Sequence, residues 1–409
     1  MGLSAATRGR MVGAMDTFFL ELGRRVRADW QAANFSLAAF PGIAQATLEE
    51  QSPAAQVDLA ALTRAFLREE EQPGQTSSGF GQPEIVVFDD PRFYIQLLFW
   101  LDGTTQIHQH EFSGAFHVLA GSSLHSQFAF TNVQPVTAHF RLGDLRLTST
   151  ELLPTGHTVP ITSGGANIHS LFHLETPSVT VVVRTHADPG TGPQFTYLPP
   201  HVAVDPFFTD ALTTRRLQLL DVLERTDAED YAEVVRDMVA DLDYERGFFT
   251  LQNCLTALRE RGEWEDTWAV FAAKHGTLAA YAAPTFEEIV WRDHLVGLRS
   301  SVEDPDHRFF LALLLSVQSA PDILGLVAAR YPGDPVATVL GWVEELSESS
   351  DEGTWLLDAE YPAEEDDGTE APLDRFLATL ARCLKGKADK TDTARREALA
   401  QSSLRALVA

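Results

Sequence analysis

Ten of the 13 histidines lie between His108 and His201. Histidine normally scatters, and it is both the commonest metal ligand and the side chain that trades protons near neutral pH. The tightest grouping is Ile107-His108-Gln109-His110. On a β-strand, residues i and i+2 point to the same side. His108 and His110 therefore share a face and can chelate one metal. Taken alone, the pair also fits two half-buried core histidines. No competing constellation stands out: there is no GxGxxG, P-loop, GxSxG or HExxH pattern. The two cysteines, Cys254 and Cys383, exclude a disulfide framework and any cysteine-rich metal site.

The elements that must position these histidines are strands. From Glu84 to about Thr196 the chain runs in short stretches of β-branched and aromatic residues. These are Ile85–Phe88, Phe93–Trp100, Ala115–Leu119, Gln127–Phe130, Ala138–Leu142 and Ser178–Val183. Gly and Pro punctuate them, which predicts a β-sandwich or barrel. Before this zone, Phe18, Phe19, Leu22 and Val26, and later Leu59, Leu62, Phe66 and Leu67, recur at helical spacing. Gln72–Gln82 reads as a loop. Beyond Pro206 the helical period returns, with one stripe at Leu212, Leu217, Leu220 and Leu223 and another at Val234, Met238 and Leu242. Further helices are predicted at Phe309–Val317, Ile323–Ala329, Val336–Leu346 and Leu373–Leu384. The resulting division is 1–72 helical, 84–205 β and 206–409 helical, an α+β chain. Within the last part, 347–372 is acidic, with Gly and Pro, and is expected to be mobile.

The stretch Gly103-x4-His108-x-His110-x10-Gly121 resembles the first motif of the cupin superfamily, and Gly164-Gly165-Ala166-Asn167-Ile168-His169 resembles the second. Over residues 84–200 the chain is most similar to thiol dioxygenases of the cysteine dioxygenase type. An aromatic strand, Phe93–Trp100, leads into Ile107-His108-Gln109-His110. Ser113 matches an H-x-x-S step, and Ile168-His169 followed by Pro177-Ser178-Val179-Thr180 matches a second step. The resemblance implies a cupin β-barrel (double-stranded β-helix) with His169 as third ligand beside His108 and His110. It also implies Fe(II) and O2 chemistry on a small-molecule or peptide substrate. Three imidazoles suit Zn, Ni, Co or Mn as well. His157 is a rival third ligand, though its Pro-Thr-Gly-His context fits a turn better.

The departures from that family are specific. Gly114 and Ala115 stand where general cupins carry a Glu ligand, so three histidines are expected. Glu111 should leave the opposite strand face. Ala115 and Arg184 stand where cysteine dioxygenases carry the Cys and Tyr of their cross-link. Thr180, Val182 and Arg184 stand where they carry a Ser-His-Tyr relay, so cross-link and relay are both absent. Strand parity then nominates neighbours of the metal. His173 shares a face with His169, His117 shares one with Ala115, and His125 reaches the site only if its strand lines it. Arg184 is the one strong cation expected at an inward position of a metal-facing strand, where it would hold an anionic substrate.

Lys plus Arg number 31 and Asp plus Glu 58, a net charge of −27. A chain that acidic repels phosphate backbones and anionic lipid, so neither nucleic acid nor a membrane is expected as a partner. The opening MGLSAATRGRMVGAMDTFFLEL has no apolar run followed by a cleavage site, so a cytoplasmic location is expected. The leading functional expectation is a non-heme iron oxygenase or dioxygenase. The alternatives are a metal-dependent cupin lyase, isomerase or hydrolase, and a non-enzymatic ligand sensor that recruits a protein partner through its C-terminal helices.

Overall fold

The run Phe93–Trp100 is apolar on both strand faces, and a strand of that kind must be covered on both sides. In the computed structural model it is the second of eleven strands among the described residues. The residues described are 14–68, 73–75, 80–101, 105–208, 210–348, 372–388 and 392–409. The strands are β1 (Glu84–Asp90), β2 (Phe93–Trp100), β3 (Ile107–His110), β4 (Gly114–Ala120), β5 (Ser123–Pro135), β6 (Phe140–Leu153), β7 (Thr158–Ile161), β8 (Gly164–His173), β9 (Ser178–Thr185), β10 (Thr196–Leu198) and β11 (Val202–Val204). Five form a sheet in the order β1-β2-β9-β4-β7, and six close on themselves in the order β10-β11-β6-β5-β8-β3. All pairings are antiparallel. This is the expected central β-barrel flanked by helices at both ends.

Among the described residues, four helices precede the strands: α1 (Ala14–Ala32), α2 (Phe40–Gln51), α3 (Pro53–Gln56) and α4 (Leu59–Phe66). Phe19, Leu22, Val26, Trp30 and Phe40 from these helices pack on Phe93, Ile95 and Leu97 of β2 and on Val179, Val181 and Val183 of β9. The alternate residues of the same strands, Leu98, Trp100 and Val182, turn inward against Phe112, Phe116, Ile161 and Leu171. Both faces of β2 are thus buried, which explains its unbroken apolar pattern.

Among the described residues, ten helices follow the strands. They are α5 (Ala211–Arg225), α6 (Tyr231–Asp241), α7 (Tyr244–Glu260), α8 (Trp264–His275), α9 (Ala279–Ser301), α10 (Pro305–Ser316), α11 (Ala320–Arg330), α12 (Pro335–Glu348), α13 (Pro372–Leu384) and α14 (Thr393–Gln401). Four of their starts carry a side-chain cap: Asp210, Asp243, Asp304 and Ser319 each accept a backbone N–H of the first turn. One group packs Tyr231, Val235, Phe248 and Leu251 against Phe140, Leu142, Val202 and Val204 of the barrel. A second group packs Phe309, Phe310, Leu313 and Leu314 against Leu124, Phe172 and Leu174.

Several expectations need correction. Leu212 is 58% exposed, and α5 buries Leu220 with Leu217 and Leu223 beside it. The buried face of α6 is Tyr231, Val235 and Val239, with Val234 and Met238 at its border and Leu242 beyond its end. β6 runs on to Leu153, well past the apolar stretch ending at Leu142, because its second half is polar and partly exposed and leaves no apolar signature. Most of the acidic segment 347–372, and parts of Gln72–Gln82, lie outside the described residues.

Candidate metal centre

β3 carries His108 and His110 on one face, as strand parity requires. Its neighbour β8 is in register with His108 opposite His169, and the register shifts between His108 and His110. The three imidazoles converge between the two sheets. Each is buried, and their ligand atoms all lie within 4.8 Å of one another. His110 Nε2 and His169 Nε2 are 2.8 Å apart. Burial holds all three well toward the neutral form, lowering each below the usual histidine range, with mutual repulsion reinforcing this for His110 and His169.

Hydrogen bonds fix two of the rings. His108 Nδ1 lies 2.7 Å from the Gln106 carbonyl, an acceptor only, so the proton sits on Nδ1 and the Nε2 lone pair is free. His169 Nδ1 lies 3.0 Å from His125 Nε2, and His125 Nδ1 lies 3.2 Å from Glu151 Oε1. His110 Nδ1 is buried without a hydrogen-bond partner among the described residues. Three buried neutral imidazoles facing one another, without a carboxylate among them, are a donor set for a divalent transition metal. Nothing else among the described residues groups three such ligands.

The histidines open on a cavity of about 50 Å³ between the sheets. Its wall is mostly apolar, with Leu98, Trp100, Phe112, Phe116, Ile161 and Leu171. Its polar members besides the histidines are Gln96, Thr105, Thr180 and Arg184. Gln96 is 2% exposed and its Oε1 has no hydrogen-bond partner among the described residues. The Arg184 guanidinium lies 3.4 Å from the Phe112 ring centroid and 5.1 Å from that of Tyr94. Its hydrogen-bond acceptors are two backbone carbonyls, of Thr185 at 3.3 Å and His186 at 3.4 Å. Burial pushes its pKa down to about 10, so it is still a cation at neutral pH.

The other nominated residues sit elsewhere. His173 does share the inward face of β8, but Trp100 stacks on it at 4.5 Å and lies between it and the cavity. Its Nδ1 meets Ser123 Oγ at 2.9 Å, and burial drives it down to about 3. His117 does not face the metal site. It shares a face with Ala115, but that face is the outer one, against the N-terminal helices. There its Nδ1 meets Thr158 Oγ1 at 2.8 Å and its Nε2 accepts from the Ala54 amide at 3.3 Å. The inward residue of this strand is Phe116. His157 is exposed in a turn and contributes nothing to the centre. Glu111 points away, as expected, and accepts from the Gln194 amide at 3.0 Å. Ser113 donates to Asp188 at 2.5 Å, as does Thr185 at 2.7 Å, which ties the start of β4 to the end of β9.

No family model matches the chain, and no curated protein does. Solved structures show partial likenesses. Hydroquinone 1,2-dioxygenase from Sphingomonas sp. TTNP3 shares 12% identity over 30% of this chain and 87% of its own, with a TM-score of 0.21. DMSP lyase DddQ from Ruegeria pomeroyi DSS-3 shares 15% over 45% of this chain and 98% of its own, with a TM-score of 0.23. A conserved protein with a double-stranded β-helix domain from Klebsiella pneumoniae shares 15% over 29% of this chain and 85% of its own, with a TM-score of 0.19. Likenesses this partial carry no argument about activity. No helix among the described residues is long and apolar enough to cross a membrane.

Proposed function

We propose that the chain is a mononuclear non-heme metal enzyme, with Fe(II) held by His108, His110 and His169, that acts as an oxygenase or dioxygenase on a small or peptide-borne substrate carrying an anionic group. The observation that carries this reading is the convergence of three buried neutral imidazoles within 4.8 Å beside a cavity that also holds Arg184. Bound Fe(II) supplies open coordination positions and the electrons for O2 chemistry, which protein side chains lack.

The chain's own residues bind, orient and exclude water. Arg184 is half-buried against the Phe112 and Tyr94 rings and has no ion pair among the described residues, so a substrate carboxylate would complete its hydrogen bonding and neutralise its charge. Packing on Phe112 fixes the plane of its donors. The Gln96 Oε1 can accept a hydrogen bond from a substrate N–H or O–H, which relieves a buried orphan acceptor. Leu98, Phe116, Ile161 and Leu171 keep water away and strengthen both contacts.

One observation favours a second reading. Thr180, Val182 and Arg184 all line the cavity, at the positions where thiol dioxygenases carry Ser, His and Tyr. None of the three supplies the proton-shuttling imidazole or phenol of that group. A metal-dependent lyase, isomerase or hydrolase has no need of that relay. The test is O2 uptake by anaerobically purified, Fe(II)-loaded protein against a panel of thiols and amino acids. Substrate loss matched by O2 consumption supports the oxygenase. Turnover without O2, retained with Zn or Mn, supports the second reading. No turnover with any metal would favour a ligand-sensing module.

A further inference from the structure

A chain of hydrogen bonds leads from His169 out of the site. β5 places His125 directly opposite Glu151 on β6 and opposite Leu171 on β8. His125 has neighbours at both ring nitrogens, Glu151 at Nδ1 and His169 Nδ1 at Nε2. A carboxylate only accepts, so the His125 proton sits on Nδ1. Its Nε2 then accepts from His169 Nδ1–H. That leaves the His169 lone pair on Nε2, the atom 2.8 Å from His110 Nε2. The Phe116 ring stands edge-on to His125 at 5.9 Å and limits its tilt. His125 is fully buried, and Glu151 is 50% exposed at the far end of the chain.

We propose that His125 and Glu151 are positioning residues for the metal centre, holding His169 in the one tautomer and orientation that presents Nε2 to the metal. The proposal rests on the three-histidine reading. His108 uses a neutral carbonyl for the same purpose, and His110 uses nothing among the described residues. His169 is therefore the ligand whose donor strength is tied to a carboxylate. Partners of this kind orient metal-bound imidazoles and raise their basicity.

Co(II) titration against a competing chelator, read by its visible absorption bands, tests the relay without any substrate. His125→Leu fills the space but removes the acceptor. His125→Gln keeps an acceptor oxygen. Glu151→Gln keeps the shape and removes the charge. His125→Leu should weaken Co(II) binding by about 10–100-fold and shift the bands. His125→Gln should recover most of the affinity, and Glu151→Gln should fall between. A purely packing role would leave His125→Leu like the wild type. Unchanged affinity and bands in His125→Leu and Glu151→Gln, with normal Co(II) uptake by the wild type, would overturn the relay. Should His125→Leu fail to fold, Glu151→Gln decides alone, because that side chain is half exposed. Absence of Co(II) uptake by the wild type would overturn the three-histidine reading and the relay together.

Discussion

Arg184 is the residue on which the substrate class turns. Among the described residues its guanidinium meets two backbone carbonyls and two aromatic rings. Arg184→Met keeps a stem against Phe112 and removes the charge. We expect kcat/KM for an anionic substrate to fall by about tenfold or more, the worth of one charge-assisted hydrogen bond, with little change in melting temperature. A large stability loss with unchanged kinetics would identify a structural cation instead. Because its pKa is near 10, substrate affinity through this group should not vary between about pH 6 and pH 8. The shared face of His108 and His110 and the inward position of Arg184 were legible from strand parity, which is local, whereas His169, 59 residues beyond His110, was named only through the resemblance to cupins. His125 was legible only as a conditional candidate. Its pairing with Glu151 depends on the register of β5 against β6, and no local pattern encodes that register.

At the scale of elements, β4 shows where parity runs out. Alternation says that Ala115 and His117 share a face, but it does not say which face is the inner one. Helices α2 and α3 cover that side, so His117 became a link between barrel and helices through Thr158 and Ala54. Burial lowers its pKa to about 4, below the unfolded value of 6.5. The unfolded chain therefore binds a proton that the folded chain refuses as pH falls from about 6.5 toward 4. Stability should decline over that window, by about 1.4 kcal/mol per pH unit for this histidine. Urea unfolding from pH 7 to pH 5 checks the sign, and His117→Phe should show a shallower slope. An identical slope in the variant would mean that His117 is protonated equally in both states. β6 was under-read for a related reason: a half-exposed strand carrying Thr, Ser and Glu looks like a loop until its partner β5 is known.

On the scale of the whole molecule, the C-terminal helices cover one side of the barrel and the N-terminal helices another. Their existence was legible from helical periodicity. Their seating was not, since it depends on outward residues such as Leu124, Phe140, Leu142 and Phe172 that read as ordinary strand core. A chain ending at Pro206 would expose these side chains, and contiguous apolar surface of that kind promotes aggregation. Size-exclusion chromatography of that truncation should show aggregate or no soluble protein, whereas a monodisperse, fully stable barrel would show that the helices are dispensable. The central claim is that one metal sits among three histidines, and elemental analysis of anaerobically reconstituted protein tests it most directly. The wild type should hold about one equivalent of divalent metal, and His108→Ala, His110→Ala and His169→Ala should each lose most of it. A wild type that stays empty after loading with iron, zinc, nickel and manganese, or full occupancy in His169→Ala, would contradict the account.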